Sequence, residues 1–221
     1  MVERVAGGIT APEGFEAAGV ACGIKKSGLD LALLVSTPPA RAAAIFTTNL
    51  AVAAPLVVTR DHLRASHNTA AAVVVNSGCA NACTGADGLA VSRGMAVDTA
   101  KALGCPVEQV LVSSTGVIGL LLDAEKVRHG VALAADALSR DAHGAAAEAI
   151  MTTDPSPKET AVRVSTPGGV FHIGGMAKGS GMIEPNMATM LGFLTTDAAV
   201  DPALLQRAVR DACADTFNAI T

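Results

Sequence analysis

Short apolar runs alternate with longer amphipathic stretches along this chain. Leu31–Val35, Ala43–Phe46, Ala72–Val75, Val110–Ser113, Val162–Ser165 and Val170–Ile173 are brief, aliphatic and bounded by small or polar residues, so they read as strands. Between several of them lie helical patterns. Leu89–Leu103 ends at Gly104, a helix stop. Asp123 is placed to cap a helix running through Leu138, and Ala145–Met151 predicts another. Asp201-Pro202 is an N-cap followed by Pro at the first helical position, and Leu205, Ala208, Val209 and Ala212 then share one face. Strands and helices mixed in this way predict a layered α/β protein. Phe217-Asn218-Ala219-Ile220-Thr221 has the pattern of a strand beginning, with no turn or cap after it. An exposed strand start is an edge liability, so the chain is expected to stop inside a larger fold.

Composition narrows the function classes. The 221 residues are 50% hydrophobic but only 2% aromatic, with no Trp, no Tyr and five Phe. The core must be aliphatic, and base stacking on nucleic acid is disfavoured. A net charge of −4 without a basic run also argues against a polyanion partner. Mean hydropathy is +0.43, yet no apolar stretch reaches the ~18 residues needed to span a bilayer. Met1–Gly8 lacks the apolar region of a signal peptide, so a cytoplasmic protein is expected. Five widely spaced cysteines, Cys22, Cys79, Cys83, Cys105 and Cys213, suggest small buried residues rather than a disulfide framework or a zinc site. The five histidines lack a nearby His or carboxylate at ligand spacing and read as surface or satisfied interior residues.

Chemistry concentrates in a few segments. Thr189 follows the small Ala188, after a glycine-rich stretch and before an apolar run. A cut before it would free an α-amino group beside a hydroxyl, placing base and nucleophile on one residue. Gly174–Gly181 carries four glycines and Lys178, which suggests either tight turns around an anion or a glycine-rich turn with a solvated Lys; the order of Lys and Gly is not that of a P-loop. Ser113–Gly119 leaves a strand for a small-residue turn, where N–H groups can hold an oxyanion or simply bond the turn itself. Thr152-Thr153-Asp154-Pro155 reads as a helix stop or as a source of hydroxyls for a polar ligand. Asn76–Gly85 reads as a hydrogen-bonded loop near a site, or as any tight connection.

Taken together, Asn76–Gly85, Ser114–Gly119, Ile150–Glu159 and Gly174–Leu191, with weaker matches at Phe46–Asn49 and Phe217–Ala219, resemble the ornithine acetyltransferase family. These are the bifunctional glutamate and amino-acid N-acetyltransferases of arginine biosynthesis. One departure is Cys79, where the family usually has Asn. The resemblance implies a layered sandwich of β-sheets flanked by helices, ornithine acetyltransferase/DmpA-like and incomplete at the C-terminus. It implies an α-chain region of residues 1–188 and the start of a β-chain region at 189–221, divided by self-cleavage between Ala188 and Thr189. Thr189 would be the nucleophile, Thr115 and Gly116 the oxyanion hole, and Thr152, Lys178 and Thr189 the substrate contacts. The implied reaction moves an acetyl group from N-acetylornithine to glutamate without metal or organic cofactor, and use of acetyl-CoA as a further acetyl donor is left open. The implied assembly is a heterotetramer of two α- and two β-chains. Two rivals remain: an N-terminal-nucleophile amidohydrolase or aminopeptidase sharing Thr189, and an inactive, uncleaved fragment.

Overall fold

The computed structural model describes residues 1–180 and 190–219, which form two four-stranded sheets with helices between and outside them. The strands are β1 (Val2–Val5), β2 (Phe15–Val20), β3 (Leu31–Arg41), β4 (Thr69–Cys79), β5 (Val110–Val117), β6 (Lys158–Thr166), β7 (Gly169–Lys178) and β8 (Leu191–Thr196). The helices are α1 (Ala54–Ala65), α2 (Gly85–Leu103), α3 (Ala124–Asp136), α4 (His143–Ala149) and α5 (Pro202–Ala214). One sheet has the order β2-β3-β4-β5 and the other β1-β6-β7-β8. Pairing is antiparallel except between β4 and β5, which run parallel with α2 as their crossover.

Strand β3 shows why the layers stack. Leu31 and Leu33 join a core with Met95 and Ala96 of α2 and Val127, Val131 and Ala134 of α3. The alternate residues Ala32 and Leu34 join a second core with Ala146, Ala147 and Ala149 of α4, and with Met176 of the other sheet. Both faces are buried, so the run is continuously apolar while its side chains still divide with period two. Alanine-rich α4 lets the layers come close. A Cβ on Gly19 of β2 would stand 2.1 Å from the Ala145 carbonyl oxygen, so only glycine fits there.

Several expectations are met with shifted bounds. Helix α2 begins at Gly85 and ends at Gly104, whose φ of +67° is the left-handed cap. Asp123 caps α3 through the Glu125 and Lys126 N–H groups, but the helix ends at Asp136. Asp201 caps α5 through Ala203 and Leu204.

Others are corrected. Ala43–Phe46 is not a strand. At Ala44 the backbone pairs instead with the Gln206 amide, which accepts from Ala44 N–H at 3.3 Å and donates to Ala44 O at 3.1 Å. Phe217–Ala219 is a single 3-10 turn rather than a strand start, and the Phe217 ring packs over Gly192 of β8. Cys83 is exposed, whereas Cys22, Cys79 and Cys213 are buried; all five thiols are free. No helix among the described residues is long and apolar enough to cross a membrane.

Candidate active site

The carboxyl ends of the parallel pair β4 and β5 form a polar centre. Ser77 lies opposite Thr115 and Gly78 opposite Gly116. Gly116 has a φ of +133°, and a Cβ there would stand 2.3 Å from the Gly78 carbonyl carbon and 2.6 Å from Cys79 N. The two backbones approach as only glycine permits. The strand ends are locked by Asn76, fully buried, which accepts from Ser114 Oγ at 2.6 Å and donates from Nδ2 to Cys79 O at 2.9 Å. Cys79 donates its thiol to Leu120 O at 3.2 Å, so a hydrogen bond is kept at the position that departs from the resemblance. The expected turn at Ser113–Gly119 is therefore mostly strand: β5 runs to Val117 and Thr115 is buried within it.

A second polar segment is drawn to this centre. Ser77 Oγ donates to Ala149 O at 2.6 Å, pinning the end of α4 against β4. The chain then turns through Met151–Asp154. Asp154 accepts from Lys158 Nζ at 2.5 Å, from Gly179 N–H at 2.7 Å and from Thr152 N–H at 3.3 Å. Burial pushes its carboxyl pKa up, but these donors outweigh burial and hold it below the usual value. Thr152 is half-buried beside it.

Lys178 is the last residue of β7, buried, and the register partner of Leu191 in β8. Burial lowers its ammonium pKa; Asp154 opposes that shift and Lys158 adds to it. Gly174–Lys178 lies in a strand, not in the turn expected from its glycines. Those glycines serve packing: a Cβ on Gly174 would meet the Gly8 carbonyl oxygen at 2.2 Å.

Thr115, Gly116, Thr152 and Lys178 thus fall on three segments joined by hydrogen bonds through Ser77, Asp154 and Gly179. Ala188 and Thr189 lie outside the described residues. The sequence marks Asp154 only as part of a helix stop or polar segment and does not show its role as an acceptor, because its partner Gly179 is distant in sequence. Sequence reasoning missed two His–carboxylate pairs, His143 Nδ1 to Glu159 at 2.9 Å and His172 Nδ1 to Asp197 at 2.9 Å. Neither histidine is near its partner in the sequence; strand pairing and helix docking bring the carboxylates in. No cluster of three metal-ligating side chains occurs among the described residues.

Two stacked sheets with a polar, glycine-approached centre at the end of a parallel strand pair define a layered α/β protein with a site built from several segments. The sequence profile of the ArgJ family matches residues 16–221, and the chain belongs to that family. It is 53% identical to the arginine biosynthesis bifunctional protein ArgJ of Symbiobacterium thermophilum, covering 100% of this chain and 55% of that protein. It is 46% identical to the Bacillus subtilis protein of the same name, covering 100% and 54%. The chain therefore spans about half the length of the curated relatives it matches. Among solved structures, ArgJ of Bacillus halodurans superposes with a TM-score of 0.79 at 39% identity, over 85% of this chain and 98% of that one. Ornithine acetyltransferase of Mycobacterium tuberculosis, complexed with ornithine, gives 0.76 at 40% identity, over 85% and 100%.

Proposed function

We propose that this chain carries the acyl-transfer centre of a self-cleaving N-acetyltransferase that moves an acetyl group from N-acetylornithine to glutamate. Family membership supports the reaction class, and the relative solved with ornithine supports the substrate class. The observation that carries the reading is the meeting of three features. These are the glycine-only approach at Gly116, the ordered Thr152–Asp154 segment, and the buried Lys178 paired to the strand that begins two residues after Thr189.

In this mechanism the freed α-amine of Thr189, with a pKa of about 8, takes the Oγ proton near neutral pH. Oγ attacks the acetyl carbonyl of N-acetylornithine. The oxyanion is held by Gly116 N–H and Thr115, a type of donor typically worth about 3 kcal/mol. Collapse breaks the amide C–N bond, and ornithine leaves with the proton returned by the Thr189 ammonium. The acetyl-Thr ester is then attacked by the amine of glutamate, giving N-acetylglutamate and restoring the hydroxyl. Neither step needs a metal or cofactor, and acetyl-CoA would enter as a second acetyl donor. Lys178 supplies a poorly hydrated cation for the substrate carboxylate, where low local dielectric strengthens the pairing. Self-cleavage uses the same hydroxyl: Oγ adds to the Ala188 carbonyl, the Ala188–Thr189 C–N bond breaks to leave an ester and the free Thr189 amine, and water opens the ester to release the Ala188 carboxylate and restore the hydroxyl. The working assembly on this reading is two α- and two β-chains.

N-terminal sequencing together with a transfer assay tests the proposal. The expected result is a new chain starting at Thr189, acetyl transfer that requires glutamate, and loss of both in Thr189→Ala. Acetate release without transfer would assign the site to an amidohydrolase instead, and cleavage persisting in Thr189→Ala would remove the nucleophile assignment.

A further inference from the structure

The loop between β2 and β3 has no part in the chemistry above, yet it touches both halves of the site. The fully buried Asp30 accepts from Cys22 N–H at 2.7 Å and Lys25 N–H at 2.9 Å, and its own carbonyl accepts from Ser77 N–H at 2.9 Å. The loop is thereby wrapped over the end of β4. A Cβ on Gly78, the register partner of Gly116, would meet Lys25 Cγ at 2.8 Å and Ile24 Cγ2 at 3.2 Å. From that point the Lys25 side chain crosses to the other half, where Nζ donates to Met151 O at 3.2 Å.

The same peptide unit is held from its other side. Its N–H, belonging to Thr152, donates to Asp154 Oδ2 at 3.3 Å, while Asp154 Oδ1 takes Gly179 N–H beside Lys178. One peptide plane is thus gripped at oxygen by a cation and at nitrogen by an anion. Taking an ammonium partly out of water for a neutral carbonyl carries a free-energy cost that a loop lysine would avoid by staying solvated. Burial accordingly lowers the Lys25 pKa, against the opposing influence of Asp30 and Glu148.

We propose that Lys25 is a positioning residue: with Asp154 it clamps the Met151–Thr152 peptide and so fixes Thr152 relative to the end of β4, whose Gly78 is the register partner of Gly116. This rests on the reading of Thr152 as a substrate contact. Lys25→Met keeps the apolar stem and removes the cation; Lys25→Arg keeps a cationic donor. In the purified protein, with glutamate saturating, Lys25→Met is expected to raise KM for N-acetylornithine about tenfold while kcat stays within about twofold, and Lys25→Arg to restore most of the loss. A fall in kcat that tracks a lowered Tm at unchanged KM would reduce Lys25 to a loop staple and overturn the proposal. Amide exchange followed by NMR judges the clamp without activity. Thr152 N–H is expected to exchange about tenfold faster in Lys25→Met while Val74 and Val112 in the core are unchanged. Unaltered exchange at Thr152 overturns the clamp. If the unsubstituted protein transfers no acetyl group, the proposed function fails on its own account and the exchange result alone decides the role of Lys25.

Discussion

Asp154 has 1% of its side chain exposed and still stays charged, because three donors replace the water it lost. Its folded pKa lies below the ordinary aspartate range. A carboxyl depressed in this way stabilises the fold above its unfolded pKa, and that contribution is lost as pH falls through the folded pKa. Asp154→Asn is therefore expected to lower stability by about 2 kcal/mol at neutral pH. The difference from the unsubstituted protein should begin to shrink below about pH 4, as the unfolded carboxyl takes up its proton, and should vanish only once pH has fallen through the depressed folded pKa, as urea titrations at several pH values would show. At this scale the sequence was partly legible. Thr152-Thr153-Asp154-Pro155 was readable as the end of a helix, and α4 does end just before it. The carboxylate's task was not readable, since Gly179 lies 25 positions further on and reaches Asp154 only when β6 and β7 pair.

On the proposed reading β5 supplies the oxyanion hole, and its end lies unusually close to β4. Gly116→Ala would place a methyl group within 2.3 Å of backbone at a φ of +133°. The strain is expected to cost about 2 kcal/mol or more and to cut kcat about a hundredfold by displacing the 116 N–H, measurable by Tm and transfer rate together. Gly119→Ala is the comparison: its φ is also positive, at +84°, but nothing lies within 4 Å, so strain acts without collision. The apolar stretches of β3 to β7 were visible in the sequence, although β6 is mostly exposed or half-buried. Helix α1 was not, because Val57, Val58 and Thr59 are β-branched and resist the helix locally. Tertiary contacts decide it: Val58 enters the core, and Thr59 Oγ exchanges hydrogen bonds with Val112 on β5. The short, polar β1 depends likewise on its partner β6, and β8 on β7.

Over the whole molecule, residues on either side of the proposed cut are woven into one body. Strand β8 pairs with β7 from Ile173↔Thr196 to Lys178↔Leu191, Thr195 Oγ donates to Ile9 O at 2.6 Å, and Gln206 of α5 grips Ala44. After cleavage the pieces of 188 and 33 residues are therefore expected to co-elute on native gel filtration and to separate only under denaturing conditions. Separation in native buffer would show that these contacts do not hold the halves together. What the sequence determined by itself was local: aliphatic runs that must be buried, caps at Asp123 and Asp201, the stop at Gly104, and the segments that carry polar chemistry. These follow from side-chain periodicity and short-range hydrogen bonding, which act within a turn or two of chain. The tertiary structure decided which segments meet, that the glycines of β7 serve close packing rather than a turn, and that Lys25, Asp30 and Asp154 join the parts of the site. Those outcomes depend on sheet order and on backbone approaches between residues far apart in the chain, and no local pattern encodes such distances.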